Sequence, residues 1–398
     1  MSNALNLNDN GKNFLLSLET RGIKLGLKRT MDLLNICNHP EDNLKSIQVI
    51  GTNGKGSTAA TLSSILIESG LKVGLYTSPH LVDLSERIQI NNRVIDNQYI
   101  DDFVNSYRSD IEKLESTFFE VLTAMAACYF NDKGVDIAIF ETGLGGRYDS
   151  VTACKANTQL FTKISIDHAH ILGNTIEEIA LDKSCAIHKN SICFSVNQTN
   201  NVKNILEQKA VDMSANLTFT NHQTNKVYKS NLLGLHQIEN TQLAIIAANH
   251  IIDLKEDVIQ RGLNNVQWKG RMEQLYSEPN VYFDVAHNDD SIIAFCNTID
   301  SLSYKGNKTL IISVQESKLI EKSIRQLDQR FTKVIITQLN DRMYKSIDLA
   351  SMFPSQSKIE IIDNPDLAIK AGLNNSKKTD LLAIIGSHYW GDIVYKNF

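Results

Sequence analysis

The chain has 398 residues, of which 42% are hydrophobic and 21% are charged, a composition typical of a globular enzyme with two or three domains. Its formal net charge of -5 argues against a general binder of nucleic acids or membrane surfaces, because the binding face of such a protein is basic. The six cysteines are scattered and none forms a C-x-x-C pair, so neither a disulfide framework nor a zinc site is predicted.

The first predicted elements form a strand–loop–helix–strand unit. Residues 46–50 are a short apolar run that predicts a buried strand, and residues 51–56 form a glycine-rich turn. Residues 57–69 have apolar side chains at helical spacing, and residues 72–78 predict the second strand. This order of elements is the context that a phosphate-binding loop requires.

Two further strands carry polar residues where they end. Residues 118–131 predict a helix rich in alanine, and residues 135–142 and 159–167 predict strands. A continuous apolar run is typical of a parallel strand that is covered on both faces. Because ligands of open α/β sheets bind at the carboxyl ends of the strands, these polar residues are candidates for a site.

The pattern is less regular beyond residue 197. Residues 197–230 are polar and support no assignment, whereas residues 238–252 predict a clear helix. The apolar pattern lapses over residues 262–279, and we place the domain junction there. Strands separated by helices follow at residues 281–287, 309–314, 333–338, 358–363 and 381–387. They predict a smaller, doubly wound α/β domain.

The strongest local motif is the run GTNGKGS at residues 51–57. Glycines let the backbone wrap a polyphosphate, while successive amides and the start of the next helix point at the anion. Lys55 would reach the β- and γ-phosphates, and the Ser57 hydroxyl would lie near the metal or phosphate. A glycine separates these two residues, so the spacing differs from the Walker A motif. The strand before it and the helix after it nevertheless predict a loop that binds a polyphosphate.

Three other clusters are weaker when taken alone. Glu141 ends a predicted strand and precedes glycines, which suits a magnesium ligand facing the phosphates, although an acidic loop residue is the alternative. Asp167 and His168 follow the next strand, but imidazole is an unusual ligand for Mg²⁺. Asp284 and His287 suit hydrogen bonds to a ribose or a phosphate, and an ordinary turn after a strand would carry the same residue types.

Together these motifs resemble the folylpolyglutamate synthase/dihydrofolate synthase family of the Mur-ligase superfamily, in its bifunctional bacterial type. The matching stretches, in the family's order, are KLGLKR, GTNGKGST, GLYTSPHL, ERI, FE, ETGLGGRYD, DH…LG, DKSCAI, GLHQIEN, GRME, DVAHN and GSHY. The resemblance implies an α/β fold with a Mur-ligase-like P-loop ATPase domain, built on a central, mostly parallel sheet, over residues 1–272. A smaller Rossmann-like C-terminal domain would occupy residues 273–398.

The resemblance also implies which residues act. The loop residues Thr52, Asn53, Gly54, Lys55, Gly56 and Ser57 would bind the phosphates of ATP, and Asn240, Arg271, Asp284 and His287 would hold the rest of the nucleotide. Ser78, Glu141 and His168 match the family's magnesium ligands. The pterin would meet Lys24, Leu25, Gly26, Leu27, Phe119, Glu120, Val121, Leu122, Tyr148, Asp149 and Ser150. Lys183 matches a lysine that is carbamylated in relatives, and with Lys55 and His168 it forms the implied catalytic set.

Several positions depart from the family pattern. Lys24 stands where the family often has Asp, and Val151 interrupts the usual D-A-T-N sequence. Asp289 and Asp290 follow DVAHN in place of Pro and a small residue or His, and the run QESK at 315–318 replaces a segment that more often reads D-K-D. The departures fall on the folate and glutamate sides of the implied site and leave the ATP side intact.

The implied function is ATP-dependent ligation of L-glutamate to dihydropteroate and to tetrahydrofolate polyglutamates, through an acyl phosphate. A monofunctional folylpolyglutamate synthase is the alternative. A cell-wall Mur ligase would need an additional N-terminal domain for its UDP-sugar, and too little chain precedes residue 51. A nucleotide-binding regulator would hydrolyse ATP without glutamate.

The expected setting is simple. The N-terminal residues lack the basic start and apolar run of a signal peptide, and no apolar stretch approaches the roughly 20 residues of a membrane span. We therefore expect a cytoplasmic protein, and relatives suggest a monomer. Its partners would be small molecules, with neither nucleic acid nor membrane among them.

Overall fold

The computed structural model describes residues 10–220, 228–302, 304 and 306–398. Its helices are α1 Gly11–Ser17, α2 Lys28–Ile36, α3 Lys55–Glu68, α4 Asn97–Lys113, α5 Phe118–Asp132, α6 Ala169–Leu172, α7 Ile176–Ser184, α8 Asn200–Asp212, α9 His236–Ile251, α10 Glu256–Asn265, α11 Asp289–Ser301, α12 Glu321–Arg330, α13 Ser346–Ser351, α14 Pro365–Asn374 and α15 Gly391–Asn397. Its strands are β1 Ser46–Ile50, β2 Val73–Tyr76, β3 Ile88–Ile90, β4 Arg93–Val94, β5 Ile137–Glu141, β6 Thr158–Phe161, β7 Ile192–Ser195, β8 Asn216–Phe219, β9 Glu273–Ser277, β10 Asn280–Asp284, β11 Lys308–Ile312, β12 Lys333–Ile336, β13 Ile359–Ile361 and β14 Leu381–Ile385.

The described residues divide into two compact units. The first comprises residues up to Ile166, Leu172–Lys229 and Asn240–Val266. The second comprises Asp167–Ile171, Ser230–Glu239 and Gln267–Phe398. The second unit therefore includes two short segments that precede its main stretch in the chain, and one of them carries His168. Asn240 belongs to the first unit, together with the phosphate loop.

The sheet of the first unit runs in the order β4-β3-β2-β5-β1-β6-β7-β8. β2, β5, β1, β6, β7 and β8 are parallel, and β3 and β4 are antiparallel additions at one edge. Every residue of β1 and of β5 is buried, as expected for parallel strands that are covered on both faces. Val49 pairs with Glu141, so the carboxyl ends of these two neighbouring strands lie at the same edge of the sheet.

Helices with recognisable caps cover this sheet. α5 begins with a capping box in which Thr117 and Glu120 satisfy each other's backbone amides. Its apolar residues, from Val121 to Phe130, are almost entirely buried in the larger core of the unit. On α3, Ser64 donates a hydrogen bond to the carbonyl of Gly262 at 2.7 Å, and a side chain at position 262 would collide with the backbone of Ile65. α3 and α10 therefore pack with their backbones in close approach.

The sheet of the second unit runs in the order β13-β12-β11-β14-β10-β9. All of its strands are parallel except β9, which is antiparallel to β10. The apolar faces of β11, β12 and β14 bury a core that includes Phe295, Phe331 and Phe353. α11 begins with a capping box between Asn288 and Ser291, which fixes the turn immediately after β10.

The expected fold class is confirmed, since both sheets are mostly parallel and carry helices between their strands. β1 has the predicted bounds, but the strand predicted at 159–167 is wrong beyond Phe161. The unassigned stretch from residue 197 contains α8 and β8, and its residues 221–227 lie outside the described part of the chain. None of the helices built from the described residues has the length and apolar character that crossing a bilayer demands.

Candidate active site

The phosphate-loop motif lies directly after β1, and its first half is tied to the chain beyond β6. The amides of Thr52 and Asn53 both donate to the carbonyl of Lys163, at 2.9 and 3.2 Å. The Thr52 hydroxyl donates to the carbonyl of Ser165 at 2.9 Å and accepts its amide at 3.0 Å. The amides of Thr52 and Asn53, which we expected to point at an anion, are thus used within the protein. The same bonds explain why β6 ends at Phe161, because the residues that follow it bond to the loop and not to a neighbouring strand.

The second half of the loop begins α3. Gly54 caps the helix with φ of 90°, a left-handed conformation that favours glycine. A Cβ atom at this position would lie 2.3 Å from Oδ1 of Asn240, so the Asn240 amide rests directly on the loop. Lys55, Gly56 and Ser57 form the first turn, and the amides of a first turn point along the helix axis towards its N-terminal end. The helix start is therefore the part of the motif best suited to an anion.

Two lysine side chains converge on the Gly51 carbonyl. Lys55 Nζ donates to it at 3.3 Å and to the carbonyl of Thr52 at 3.1 Å, so the side chain folds back over the loop. Lys183, on α7, donates to the same Gly51 carbonyl at 2.7 Å and is 4% exposed. The Lys183 ammonium is therefore buried beside the loop.

Glu141 is the last residue of β5 and is buried. Its Oε2 accepts the backbone amide of Ser78 at 3.1 Å, which joins the ends of β5 and of the segment after β2. Ser78 is half-buried. The buried carboxylate of Glu141 and the hydroxyl that Ser78 carries are oxygen donors, which are the ligands that Mg²⁺ prefers.

The glycines after Glu141 allow the chain to pass close to two helices. A Cβ at Gly143 would lie 2.6 Å from the ring of Phe119 on α5. A Cβ at Gly146 would lie 2.6 Å from the backbone carbonyl of Lys183, and the Gly146 amide donates to Asp182 at 2.8 Å. Asp182, which sequence reasoning missed, thus fixes the turn against the helix that carries Lys183.

Asp149 is a buried carboxyl whose oxygens accept the backbone amides of Leu144 at 2.7 Å and Val151 at 3.0 Å. Burial raises the pKa of Asp149 to about 6, and these amides offset only part of that rise. Its neighbour Ser150 bonds to Thr123 of α5 through their hydroxyls at 2.9 Å. The turn before Ser150 is therefore held by a carboxyl that titrates near neutral pH.

We expect the Asp149→Asn variant to gain stability relative to the natural chain as pH rises. The folded-state pKa lies above the ordinary value of 3.8, so the contribution of Asp149 to stability is fully present below pH 3.8 and is lost as pH rises through about 6. The difference in unfolding free energy between the two proteins should shift by about 3 kcal/mol between pH 3 and pH 8. Urea unfolding followed by circular dichroism measures it, and a difference that is constant with pH would contradict this account.

The segment predicted to meet a pterin is held to the start of α5. Arg29 Nε donates to both oxygens of Glu120, at 3.0 and 3.1 Å, and another guanidinium nitrogen donates to the carbonyl of Lys24 at 2.8 Å. Lys24 Nζ pairs with Glu115 at 3.0 Å. The Glu120 carboxylate also accepts the Thr117 amide at 2.7 Å. It therefore connects the start of α5 with Arg29 and, through Arg29, with the segment around Lys24.

The remaining residues of this predicted group differ in exposure. Leu25 and Tyr148 are exposed, Phe119, Gly26 and Leu27 are half-buried, and Val121 and Leu122 have no exposed surface. Val121 and Leu122 belong to the apolar core, so they can support a ligand site only through packing. Leu25 and Tyr148 offer apolar surface to a flat ligand.

In the second unit, Asp284 ends β10 and is buried. Its oxygens accept the backbone amides of Met272 and Ala286, both at 2.8 Å. Burial raises the pKa of Asp284, although the nearby Arg271 opposes the rise. His236 is half-buried in the same neighbourhood, and loss of solvent around the ring lowers its pKa. The structure thus brings Arg271 and Asp284 together, as the sequence motifs suggested.

Asp167 is the centre of a second cluster in this unit. Its oxygens accept Lys318 Nζ at 2.7 Å and Asn288 Nδ2 at 3.1 Å, and His287 Nε2 lies 3.8 Å away. Burial raises the pKa of Asp167, but His287, Lys318 and His168 lower it by more, so it lies well below its usual range. Sequence reasoning missed Lys318 and Asn288 as partners, because about 120 to 150 residues separate them from Asp167.

His168 follows Asp167 with φ of 52°, which is unusual for a residue with a side chain. Its amide donates to Asp167 at 2.8 Å, and its Nε2 lies 3.2 Å from Lys318 Nζ. A non-glycine residue in the left-handed region costs roughly 1 kcal/mol, which the bonds around Asp167 offset. The position of this imidazole is therefore set by the cluster and not by a strand end.

The chain is similar to proteins of known activity over most of its length. The family model described as Mur ligase, glutamate ligase domain matches residues 270–388. A Bacillus subtilis protein named dihydrofolate synthase/folylpolyglutamate synthase is 30% identical over 93% of this chain and 94% of its own length.

The chain is also similar in fold to solved structures of folylpolyglutamate synthases. Folylpolyglutamate synthase from Thermotoga maritima superposes with a TM-score of 0.82 at 27% identity, covering 97% of this chain and 96% of that one. Mycobacterium tuberculosis folylpolyglutamate synthase, solved with ADP, superposes with a TM-score of 0.89. Its identity is 24%, over 97% of this chain and 98% of its own, so this second likeness speaks for the fold alone.

Proposed function

Since this chain belongs to the dihydrofolate synthase/folylpolyglutamate synthase family, we propose that it joins L-glutamate to dihydropteroate and to tetrahydrofolate polyglutamates at the expense of ATP. It is an ATP-dependent, amide-forming ligase. The observation that carries the proposal is the edge of the first sheet. There the phosphate loop with Lys55 follows β1, and Glu141 ends the neighbouring strand in register with Val49.

The chemistry begins with the carboxylate of the acceptor substrate. One of its oxygens attacks the γ-phosphorus of ATP, which forms an acyl phosphate and releases ADP. The neutral amine of glutamate then attacks the acyl carbon, and inorganic phosphate and a proton from the amine leave as the amide forms. The ammonium of Lys55 stabilises the charge that develops on the transferring phosphoryl group, and the amides of the first turn of α3 hold the phosphates.

The residues present fit a divalent cation. Glu141 offers a buried carboxylate that accepts the backbone amide of Ser78, and the Ser78 hydroxyl is a second oxygen donor. We propose these two with His168 as the ligands of Mg²⁺, which when bound neutralises phosphate charge. Lys183, buried at the Gly51 carbonyl, is proposed as the third catalytic residue with Lys55 and His168.

The other parts of the site are proposed from the same segments. Asn240, Arg271, Asp284 and His287 would hold the nucleotide, and the segment braced by Arg29 and Glu120 would receive the pterin. We propose residue 272 as the end of the ATP-binding domain. We also propose that the protein is a cytoplasmic monomer, and its six free cysteines agree with a reducing compartment. Its proposed partners are its small-molecule substrates, without nucleic acid or membrane, which agrees with its negative net charge.

The proposal predicts that ADP release by the purified protein with ATP and Mg²⁺ will require both L-glutamate and a pterin substrate. Dihydropteroate and a tetrahydrofolate are supplied separately, and ADP is measured by a coupled assay. Release with both pterins indicates two activities, and release with tetrahydrofolate alone indicates the monofunctional alternative. Equal ADP release with and without glutamate would mean that the chain is not a ligase.

A further inference from the structure

The contact between Lys318 and His168 constrains the chemistry of the imidazole. Lys318 Nζ lies 3.2 Å from His168 Nε2 and 2.7 Å from Oδ1 of Asp167. The ammonium group has hydrogens to donate and no acceptor, so Nε2 of His168 must supply its lone pair to this bond. The remaining hydrogen of a neutral ring is then on Nδ1.

This lone pair is the one a metal ion needs. A neutral imidazole has a single ring nitrogen with a free lone pair, and a metal ligand must donate that pair. The Nε2 lone pair of His168 already accepts a hydrogen bond from the Lys318 ammonium group. His168 cannot bind a cation and accept from Lys318 at the same time.

We propose that Lys318 is a positioning residue that occupies the His168 lone pair until a divalent cation takes its place. The inference rests on the proposed function, because it takes His168 as a ligand of that cation. It gives Lys318 a role for which the motifs of the sequence offered no reason.

The surroundings allow this exchange. Lys318 is 5% exposed, and its ammonium is shared between His168 and Asp167. When the bond to His168 breaks, the shorter bond to Asp167 keeps the buried charge paired. Asp167 in turn is held by Asn288 at 3.1 Å, and it binds the backbone amide of His168 at 2.8 Å. The exchange therefore breaks the bond between Lys318 and His168 and can keep the bonds to Asp167.

The first test needs no substitution. Nitrogen-15 spectra of histidine-labelled, metal-free protein at pH 8 report which ring nitrogen carries the hydrogen, and a His168→Ala sample assigns the signal. We expect His168 to carry it on Nδ1, and we expect the Nε2 resonance to move when Mg²⁺ and ADP are added. A hydrogen on Nε2 in the metal-free protein would overturn the proposal, because Lys318 could not then donate to that atom.

The second test measures metal affinity. Mn²⁺ binding to the full chain, followed by electron paramagnetic resonance, is compared for the natural protein, Lys318→Met, His168→Ala and the double variant. Loss of one competing hydrogen bond to a charged donor should tighten Mn²⁺ binding about tenfold in Lys318→Met. On the His168→Ala background the same substitution removes the charge but no bond that competes for a metal ligand, so it should tighten Mn²⁺ binding far less than it does in the natural protein.

The design separates this proposal from the proposed function. Lys322→Met, on the exposed face of α12, removes an equal charge and should leave Mn²⁺ affinity unchanged. Equal tightening on both backgrounds would show that Lys318 acts only through its charge and would overturn the inference, whatever the ligase assay gives. If Lys318→Met tightens Mn²⁺ binding only when His168 is present, the role proposed for Lys318 stands. If ADP release is also independent of glutamate, that result counts against the ligase function alone.

Discussion

Replacing Lys55 with alanine is expected to lower ADP formation by about 10³-fold or more while leaving the protein folded. Lys55 is the first residue of α3, and its ammonium bonds to the carbonyls of Gly51 and Thr52. Lys163 and Ser165 brace this loop independently of Lys55, so the loop should keep its shape. What is lost is the positive charge that would stabilise the transferring phosphoryl group.

The measurement is single-turnover ADP formation at saturating ATP, with thermal unfolding as the check on folding. Lys209→Ala, in the last turn of α8, is the matched control, because it removes a lysine from a helix with no part in the proposed site. Its rate should equal that of the natural chain. A Lys55→Ala rate within tenfold of normal would remove Lys55 from the catalytic set.

The Glu141→Gln variant should lose about 10² to 10³-fold in turnover and should bind Mn²⁺ far more weakly. The amide keeps an oxygen that can accept the Ser78 amide, now 3.1 Å away, so the end of β5 should not rearrange. The substitution removes only the negative charge of a buried group, which is the property a divalent cation needs. Removing a buried charge should not lower stability, since its desolvation cost disappears with it.

Two readouts make this result specific. ADP formation is measured over a range of Mg²⁺ concentrations, and Mn²⁺ binding is measured directly without nucleotide. Glu68→Gln is the control, because Glu68 is the last residue of α3 and bonds to Asn265 and Arg261 at the end away from the loop. Normal Mn²⁺ affinity in Glu141→Gln, with turnover lost, would assign Glu141 to some role other than metal binding.

The first sheet shows why part of this site could be predicted from sequence. β1 is a run of five buried residues followed at once by the glycine loop, so period, burial and turn chemistry all point to the same boundary. β6 could not be bounded in this way, because its apolar pattern continues to Ile166. The chain leaves the sheet there because Lys163 and Ser165 bond to Thr52, a contact between segments more than 110 residues apart.

The cluster around Asp167 could not be predicted from the sequence, because contacts between distant segments of the chain form it as well. Asp167 and His168 stood out only as polar residues after a strand. Their environment is made by Asn288, which caps α11, and by Lys318, which follows β11 in a segment that departs from the family pattern. No periodicity or spacing within one sequence relates these positions.

The close approach of position 54 to Asn240 has a consequence for how the sequence can change over generations. A methyl group at position 54 would meet the Asn240 amide at 2.3 Å, and the backbone there is also left-handed. A side chain at position 54 would therefore need a smaller residue at position 240 and would still meet a backbone conformation that favours glycine. Positions 186 residues apart in the chain thus constrain each other, and a lineage that kept Asn240 would have no single-step route away from the glycine at position 54.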